Sequence, residues 1–124
     1  MKNLILIFVG GGAGSCCRYL IAIWLNNPES NFPLGTFTAN MLSCLVLGFT
    51  TVLVLNSIDI SDELRFLIMV GFCGGFSTFS TFDNEILSLV KNEKYLSGLF
   101  YALISIFIGL LSLIAGISLA RKLL

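Results

Sequence analysis

Residues 71–82 read Gly71-Phe72-Cys73-Gly74-Gly75-Phe76-Ser77-Thr78-Phe79-Ser80-Thr81-Phe82, a run of glycines, hydroxyls and phenylalanines broken only by one cysteine. Paired glycines weaken a helix interior, and Ser and Thr hydroxyls bond the backbone groups that a weakened helix sets free. Phe76, Phe79 and Phe82 recur every third residue, so neighbouring rings fall on nearly one face, each beside hydroxyls. A benzene ring carries a positive edge, and such an edge can meet an anion that has shed its water. The chemistry open to this stretch is recognition by neutral donors and ring edges. The plainer alternative is a kink made for packing.

Two further polar residues fall where an apolar helix has no need of them. Thr36 and Asn40 stand four apart, hence on one helical face. An unpaired amide inside an apolar span is expensive; it offers two donors and an acceptor. Asn40 is therefore either glue between helices or a ligand for a passing ion or water. Arg18 follows Gly14 by four residues and either lines a wet vestibule or snorkels to the headgroups. Gly10 and Gly14 form a GxxxG pair, suited to close helix approach in lipid. No carboxylate occupies the centre of an apolar block, and Asp83 and Glu85 lie just past the hydroxyl-rich run. Donors without deep acids favour an anion or a neutral polar solute over an exchanged cation. Cys16, Cys17, Cys44 and Cys73 stand in apolar stretches with no CxxC pair and no histidine in the chain. That excludes a zinc site of the usual kind and leaves them as small packing residues.

The frame that must hold these residues is apolar throughout. Of 124 residues 56% are hydrophobic and only 11% charged, with a mean hydropathy of +0.97; about a quarter charged is usual for a soluble domain. A domain this small cannot hide so much apolar surface from water. Four apolar blocks, residues 4–25, 33–55, 64–90 and 96–120, each reach the roughly 20 residues needed to cross a bilayer. Short polar breaks at 26–32, 56–63 and 91–95 separate them, with no linker, so residues 1–124 read as a single all-α domain of four transmembrane helices. The third helix is expected to break mid-membrane, which is tolerated only inside protein or against a watery cavity. Such breaks often place bare carbonyls at an ion site. Lys2, the apolar run after it and Ser15-Cys16 bear a faint likeness to a lipoprotein signal, but apolar character continues to Leu25 and three more spans follow.

Charge gives nucleic acid no support as a partner, since the formal net charge is zero. It also fails to orient the chain. One side holds Lys2, Arg65, Arg121 and Lys122, and the other holds Lys91 and Lys94 with Arg18 leaning toward it. Four against three barely lets the positive-inside rule choose. Opposite insertions pairing as an antiparallel dimer are expected, the alternative being that one charge decides a single orientation.

Taken together, the chain resembles the small dual-topology fluoride channels of microbial membranes. The matching stretches are Gly11-Gly12 through Gly14 to Arg18-Tyr19, Gly35-Thr36 through Asn40, and Gly71 to Phe82 with Glu85. They fall in the right order in the right helices, and the resemblance spans essentially the whole chain. Composition alone does not lead to the word fluoride.

The resemblance implies an antiparallel homodimer in the cell (inner or plasma) membrane, surrounded by lipid, with two pores lined by parts of both subunits. It implies passive fluoride export that protects against fluoride toxicity, with no enzymatic step. Asn40 matches the pore asparagine, Phe79 and Phe82 the phenylalanines that face fluoride, and Ser80 and Thr81 the hydroxyls beside them. Backbone carbonyls at Gly74 and Ser77 match those holding a central structural Na⁺ with their symmetry mates. Arg18 matches an arginine that draws anions to a vestibule, and Glu85 an acid of the motif whose role is open. A polar rail joins the Thr36 position to two polar places on the fourth helix. Ser105 fills the first, whereas the second falls on Gly109, and Ser112 is one turn on and out of phase. The strongest rival, a four-helix multidrug or guanidinium exporter, needs a carboxylate in its first helix, yet no acid precedes the loop residue Glu29. A membrane scaffold explains the hydrophobicity but not the Gly/Ser/Thr/Phe centre.

Overall fold

Helix boundaries in the computed structural model, which describes residues 1–56 and 61–123, follow from a few polar residues and prolines. Helix α1 (Lys2–Leu25) closes on Asn26, whose extended backbone leads the chain away while its N–H still bonds Ala22 O. Asn26 also starts the next helix, its Oδ1 accepting from Gly35 N at 2.8 Å. That helix, α2 (Leu34–Leu55), begins directly after Pro33, a residue whose missing N–H costs nothing at a helix start.

Residues 62–76 form α3, which changes pitch along its length. It opens with an α-turn (Asp62–Arg65) capped by Ser61, whose side chain accepts from Leu64 N. A π-helical stretch (Phe66–Cys73) follows, then one more α-turn (Gly74–Phe76). Helix α4 (Phe79–Lys91) is capped at its start by the Thr78 side chain. It ends in a Schellman motif, with Lys94 N bonding Leu89 O at 2.9 Å and Glu93 N bonding Val90 O at 3.0 Å. Glu93 sits at the left-handed position with φ 60°, where glycine is the usual occupant. Helix α5 (Tyr95–Leu123) completes the chain.

Four helical stretches (Lys2–Leu25, Leu34–Leu55, Asp62–Lys91 and Tyr95–Leu123) are long and apolar enough to cross a membrane. They contain the expected blocks except Pro33, and extend past most of their apolar limits because helical hydrogen bonding continues into polar residues. The bundle is inverted relative to a soluble protein. Leu4, Phe8, Trp24, Leu96 and Phe107 face outward, whereas Thr36, Ser43, Thr50 and Ser105 are buried.

Glycines set the spacing inside. A Cβ on Gly14 would lie 2.2 Å from Phe72 O, and one on Gly75 would lie 2.2 Å from Gly11 O, so α1 and α3 meet backbone to backbone. Gly48 and Gly116 do the same between α2 and α5, at 2.2 Å from Leu113 O and 2.1 Å from Leu45 O. Without a hydrophobic drive between helices in lipid, such close contact is what holds them. Under α4, an aromatic cluster joins Phe82 to Tyr101 (ring centroids 5.1 Å apart), with Phe32 against Tyr101 at the same distance and Phe37 beyond. Lys2 pairs with Glu63 at one end of the bundle, and Lys94 Nζ donates to Asn31 Oδ1 at the other.

Candidate functional site

The helical path opens at Ser77 and Thr78, whose backbones are extended at φ −77°, ψ 156° and φ −151°, ψ 121°. The glycine pair just before it is not the opening. Gly74 keeps helical angles of φ −64°, ψ −36°, and Gly75 serves the close contact with α1. Interrupting a helix strands backbone groups, and their new partners define the site.

Asn40 supplies two of those partners. Its Oδ1 accepts from Thr78 N at 2.8 Å and its Nδ2 donates to Thr78 O at 3.3 Å. Thr78 in turn caps α4, its Oγ1 accepting from Thr81 N at 3.3 Å and donating to Thr81 Oγ1 at 3.1 Å. On the α3 side, Cys73 O accepts from Ser77 N (3.0 Å), Ser77 Oγ (2.9 Å) and Ser43 Oγ (3.0 Å). Gly75 O accepts from Arg18 Nε at 3.1 Å and Ser15 Oγ at 3.4 Å. Arg18 thus bonds the released end of α3 through its guanidinium.

Beside the opening runs a groove of about 390 Å³. Its walls include Asn40 and Cys44 from α2, Ser77 and Thr78 from the opening, Phe79 and Phe82 from α4, and Ser105 and Gly109 from α5. Neither acid nor base lines it. The Asn40 NH₂ has two protons and spends one on Thr78 O, while Ser105 Oγ is buried with no protein partner among the described residues. The phenyl centroids of Phe79 and Phe82 stand 5.9 Å apart. A cavity with neutral donors, two rings and no fixed charge suits a small acceptor, above all an anion.

Of the residues singled out in the sequence, Asn40, Cys44, Ser77, Thr78, Phe79, Phe82, Ser105 and Gly109 converge on this groove, whereas Thr36, Ser80, Thr81 and Gly74 do not. Thr36 Oγ1 donates to Glu85 Oε1 at 2.6 Å, outside the groove lining. Ser80 is exposed and Thr81 half-buried, and neither lines the groove. Gly74 is exposed, with nothing within 4 Å of where its Cβ would be.

Tyr101 was absent from the sequence reading. It is fully buried and donates to Glu85 Oε2 at 2.7 Å, so the acid of open role is held between Thr36 and Tyr101. A signal existed: a tyrosine inside an apolar span needs a partner for its hydroxyl, and Glu85 is one of the few acids within reach of a span.

An all-helical chain with four membrane-length helices, apolar outside and polar within, is a multi-pass membrane protein. Residues 5–117 match the family described as CrcB-like protein, Camphor Resistance (CrcB), and the chain belongs to that family. Similar proteins include one from Phocaeicola vulgatus, 44% identical over 94% of this chain and 97% of its own length. Another, from Bacteroides fragilis, is 47% identical over 94% of both chains, and one from Hahella chejuensis is 42% identical over 100% of this chain and 98% of its own. Each of the three bears the name fluoride-specific ion channel FluC.

Proposed function

We propose that this protein is a fluoride-selective channel, conducting the ion passively out of a cell that is negative inside, with no enzymatic step. The observation that carries the reading is the groove, where Asn40, Ser105 and the Phe79–Phe82 pair gather around a space without fixed charge. Full-length relatives named as fluoride channels support the choice of ion. Fluoride gives up strong hydration, and amide, hydroxyl and ring-edge contacts replace it. With no cation in the wall to trap the ion, sites remain favourable to enter and weak enough to leave, as conduction requires.

The working unit in this proposal is an antiparallel homodimer in the cytoplasmic (inner) membrane, with two pores. The near-even distribution of Lys and Arg between the two sides supports dual insertion, and the groove, open on the flank of one chain, supports completion by a second. A structural Na⁺ at the dimer centre belongs to the same reading. Thr78 N, four residues past Gly74, bonds Asn40 Oδ1 instead of Gly74 O. Thr81 N, four past Ser77, likewise bonds Thr78 Oγ1. Gly74 O and Ser77 O are thus released from their helical donors, and unwound carbonyls of this kind suit Na⁺. Two oxygens fall short of a cation's shell, so a symmetry mate supplies the rest. The ion's contribution would be positive charge that holds the two openings together.

The test is anion efflux from liposomes carrying the purified protein, fluoride against chloride, with valinomycin supplying K⁺ counterflow. Rapid fluoride loss with negligible chloride loss is expected. A folded dimer that passes no fluoride would overturn the reading.

A further inference from the structure

Three donors crowd one oxygen at the end of α3. Cys73 O is approached by Ser77 N at 3.0 Å, Ser77 Oγ at 2.9 Å and Ser43 Oγ at 3.0 Å. A carbonyl oxygen has two lone pairs, so one donor is surplus. The Ser77 N–H cannot leave, because the last turn of the backbone fixes it. Ser43 is buried, only 3% exposed, and stands outside the groove lining. The Ser77 hydroxyl alone can go elsewhere. It hangs on one rotatable bond, Ser77 lines the groove, and Cys73 O keeps two donors when it turns away.

We propose that the Ser77 hydroxyl is an anion ligand of the groove, resting on Cys73 O when no acceptor is present and turning to the ion as it passes. Ser43 is the positioning residue that makes this cheap, since its hydroxyl keeps Cys73 O satisfied in both states. The inference rests on the fluoride reading and goes beyond it by adding a side-chain ligand and a residue that acts through it. With Ser105 Oγ, buried and unpartnered on a different helix, the ion meets hydroxyls from two elements. Charge-assisted hydrogen bonds reward a small, strongly accepting anion, so the arrangement favours fluoride over chloride.

The experiment compares fluoride efflux from liposomes for wild type, Ser77→Ala, Ser77→Thr, Ser43→Ala and the Ser43→Ala/Ser77→Ala double variant. Thermal unfolding midpoints are recorded on each. Ser77→Ala is expected to slow efflux about tenfold, the size of one charge-assisted hydrogen bond at its lower range, while Ser77→Thr stays near wild type. Ser43→Ala is expected to slow efflux as well, without touching the groove, because the Ser77 hydroxyl is then held on Cys73 O. Adding it to Ser77→Ala should change nothing further. Additive losses that track the unfolding midpoints would reduce Ser43 to a structural role and overturn its part. Undiminished flux in Ser77→Ala, or equal loss in Ser77→Thr, would overturn the ligand itself while wild-type conduction leaves the channel reading standing. Wild-type protein without fluoride flux would sink the channel reading, and this inference with it.

Discussion

Asn40 and Thr78 exchange two hydrogen bonds, Oδ1 accepting from the Thr78 N–H at 2.8 Å and Nδ2 donating to the Thr78 carbonyl at 3.3 Å. One side-chain amide from α2 thus does for the opening what a neighbouring strand does for a strand. Asn40→Ala strands both backbone groups, and an unsatisfied buried group costs about 1–3 kcal/mol. A lowered unfolding midpoint and lost fluoride efflux are expected together. Asn40→Asp keeps the acceptor for Thr78 N but sets a negative charge against Thr78 O and against any anion. Its efflux should fall further than its stability. A stable, conducting Asn40→Ala protein would remove Asn40 from both roles.

Helix spacing gives a sharper contrast within α1. A Cβ on Gly14 would sit 2.2 Å from Phe72 O and 2.7 Å from Phe76 N, both backbone atoms that cannot swing aside. Gly14→Ala should cost about 3 kcal/mol, the upper range for overpacking. Gly12 has nothing within 4 Å of its Cβ position, and alanine is the better helix former by about 1 kcal/mol. Gly12→Ala should leave the denaturation midpoint unchanged or raise it. Equal effects at the two positions would contradict the packing.

The four spans were legible in the sequence because a run of some 20 apolar residues has few other ways to satisfy its backbone. The π-helical turn at Phe66–Cys73 was not, since its side chains suit either pitch and register is decided by the neighbouring helix. Composition pointed to residues 71–82 as weak without saying where in that run the helix gives way. The chain opens at Ser77 and Thr78 because Asn40, 38 residues away, takes over the Thr78 backbone. Arg18 finds its acceptor 57 residues along the chain, at Gly75 O. Local periodicity sees none of these pairings. The resemblance to the fluoride channels did bring Asn40, Phe79, Phe82 and Ser105 to one list, and they share one groove, whereas Thr36 bonds Glu85 outside it.

Glu85 is held from two helices, by Thr36 at 2.6 Å and Tyr101 at 2.7 Å. Tyr101→Phe removes one donor and leaves the ring packing intact. A loss of about 1.5–3 kcal/mol is expected, as for a hydrogen bond to a charged group. Glu85→Gln, which can still accept from the tyrosine, should cost less than Glu85→Ala. Unfolding midpoints of the three variants check the order, and a neutral Tyr101→Phe would dissolve the contact as a source of stability.

Two phenylalanines three residues apart should respond differently. Phe79 is 74% exposed on a single chain and Phe82 only 8%. Phe79→Ile should sharply reduce fluoride efflux while the protein folds as before. Phe82→Ile should lose both efflux and stability, because its ring packs on Tyr101 at 5.1 Å and such a pair is worth about 0.5–1.5 kcal/mol beyond burial. Undiminished flux through Phe79→Ile would refute the ring-edge role.

Gly109 stands one helical turn past Ser105 on the groove wall, with room to spare. A Cβ there would meet only Met41 Cε at 3.6 Å and Cys44 Sγ at 3.9 Å, ordinary contact distances to movable side chains. Serine fits, and it forms helix better than glycine by about 0.5 kcal/mol. Gly109→Ser therefore adds a second α5 hydroxyl to the wall without disturbing the bundle. Fluoride efflux equal to or above wild type is expected, with an unchanged or raised unfolding midpoint. Gly109→Leu places an apolar side chain in the same space and should block efflux in a protein that still folds. If the serine variant blocked as fully as the leucine, bulk rather than polarity would govern this point, and a second hydroxyl on α5 would have no place in conduction. If neither variant altered efflux, the ion's path would leave the groove before Gly109, and Ser105 would be the last contact it makes on α5.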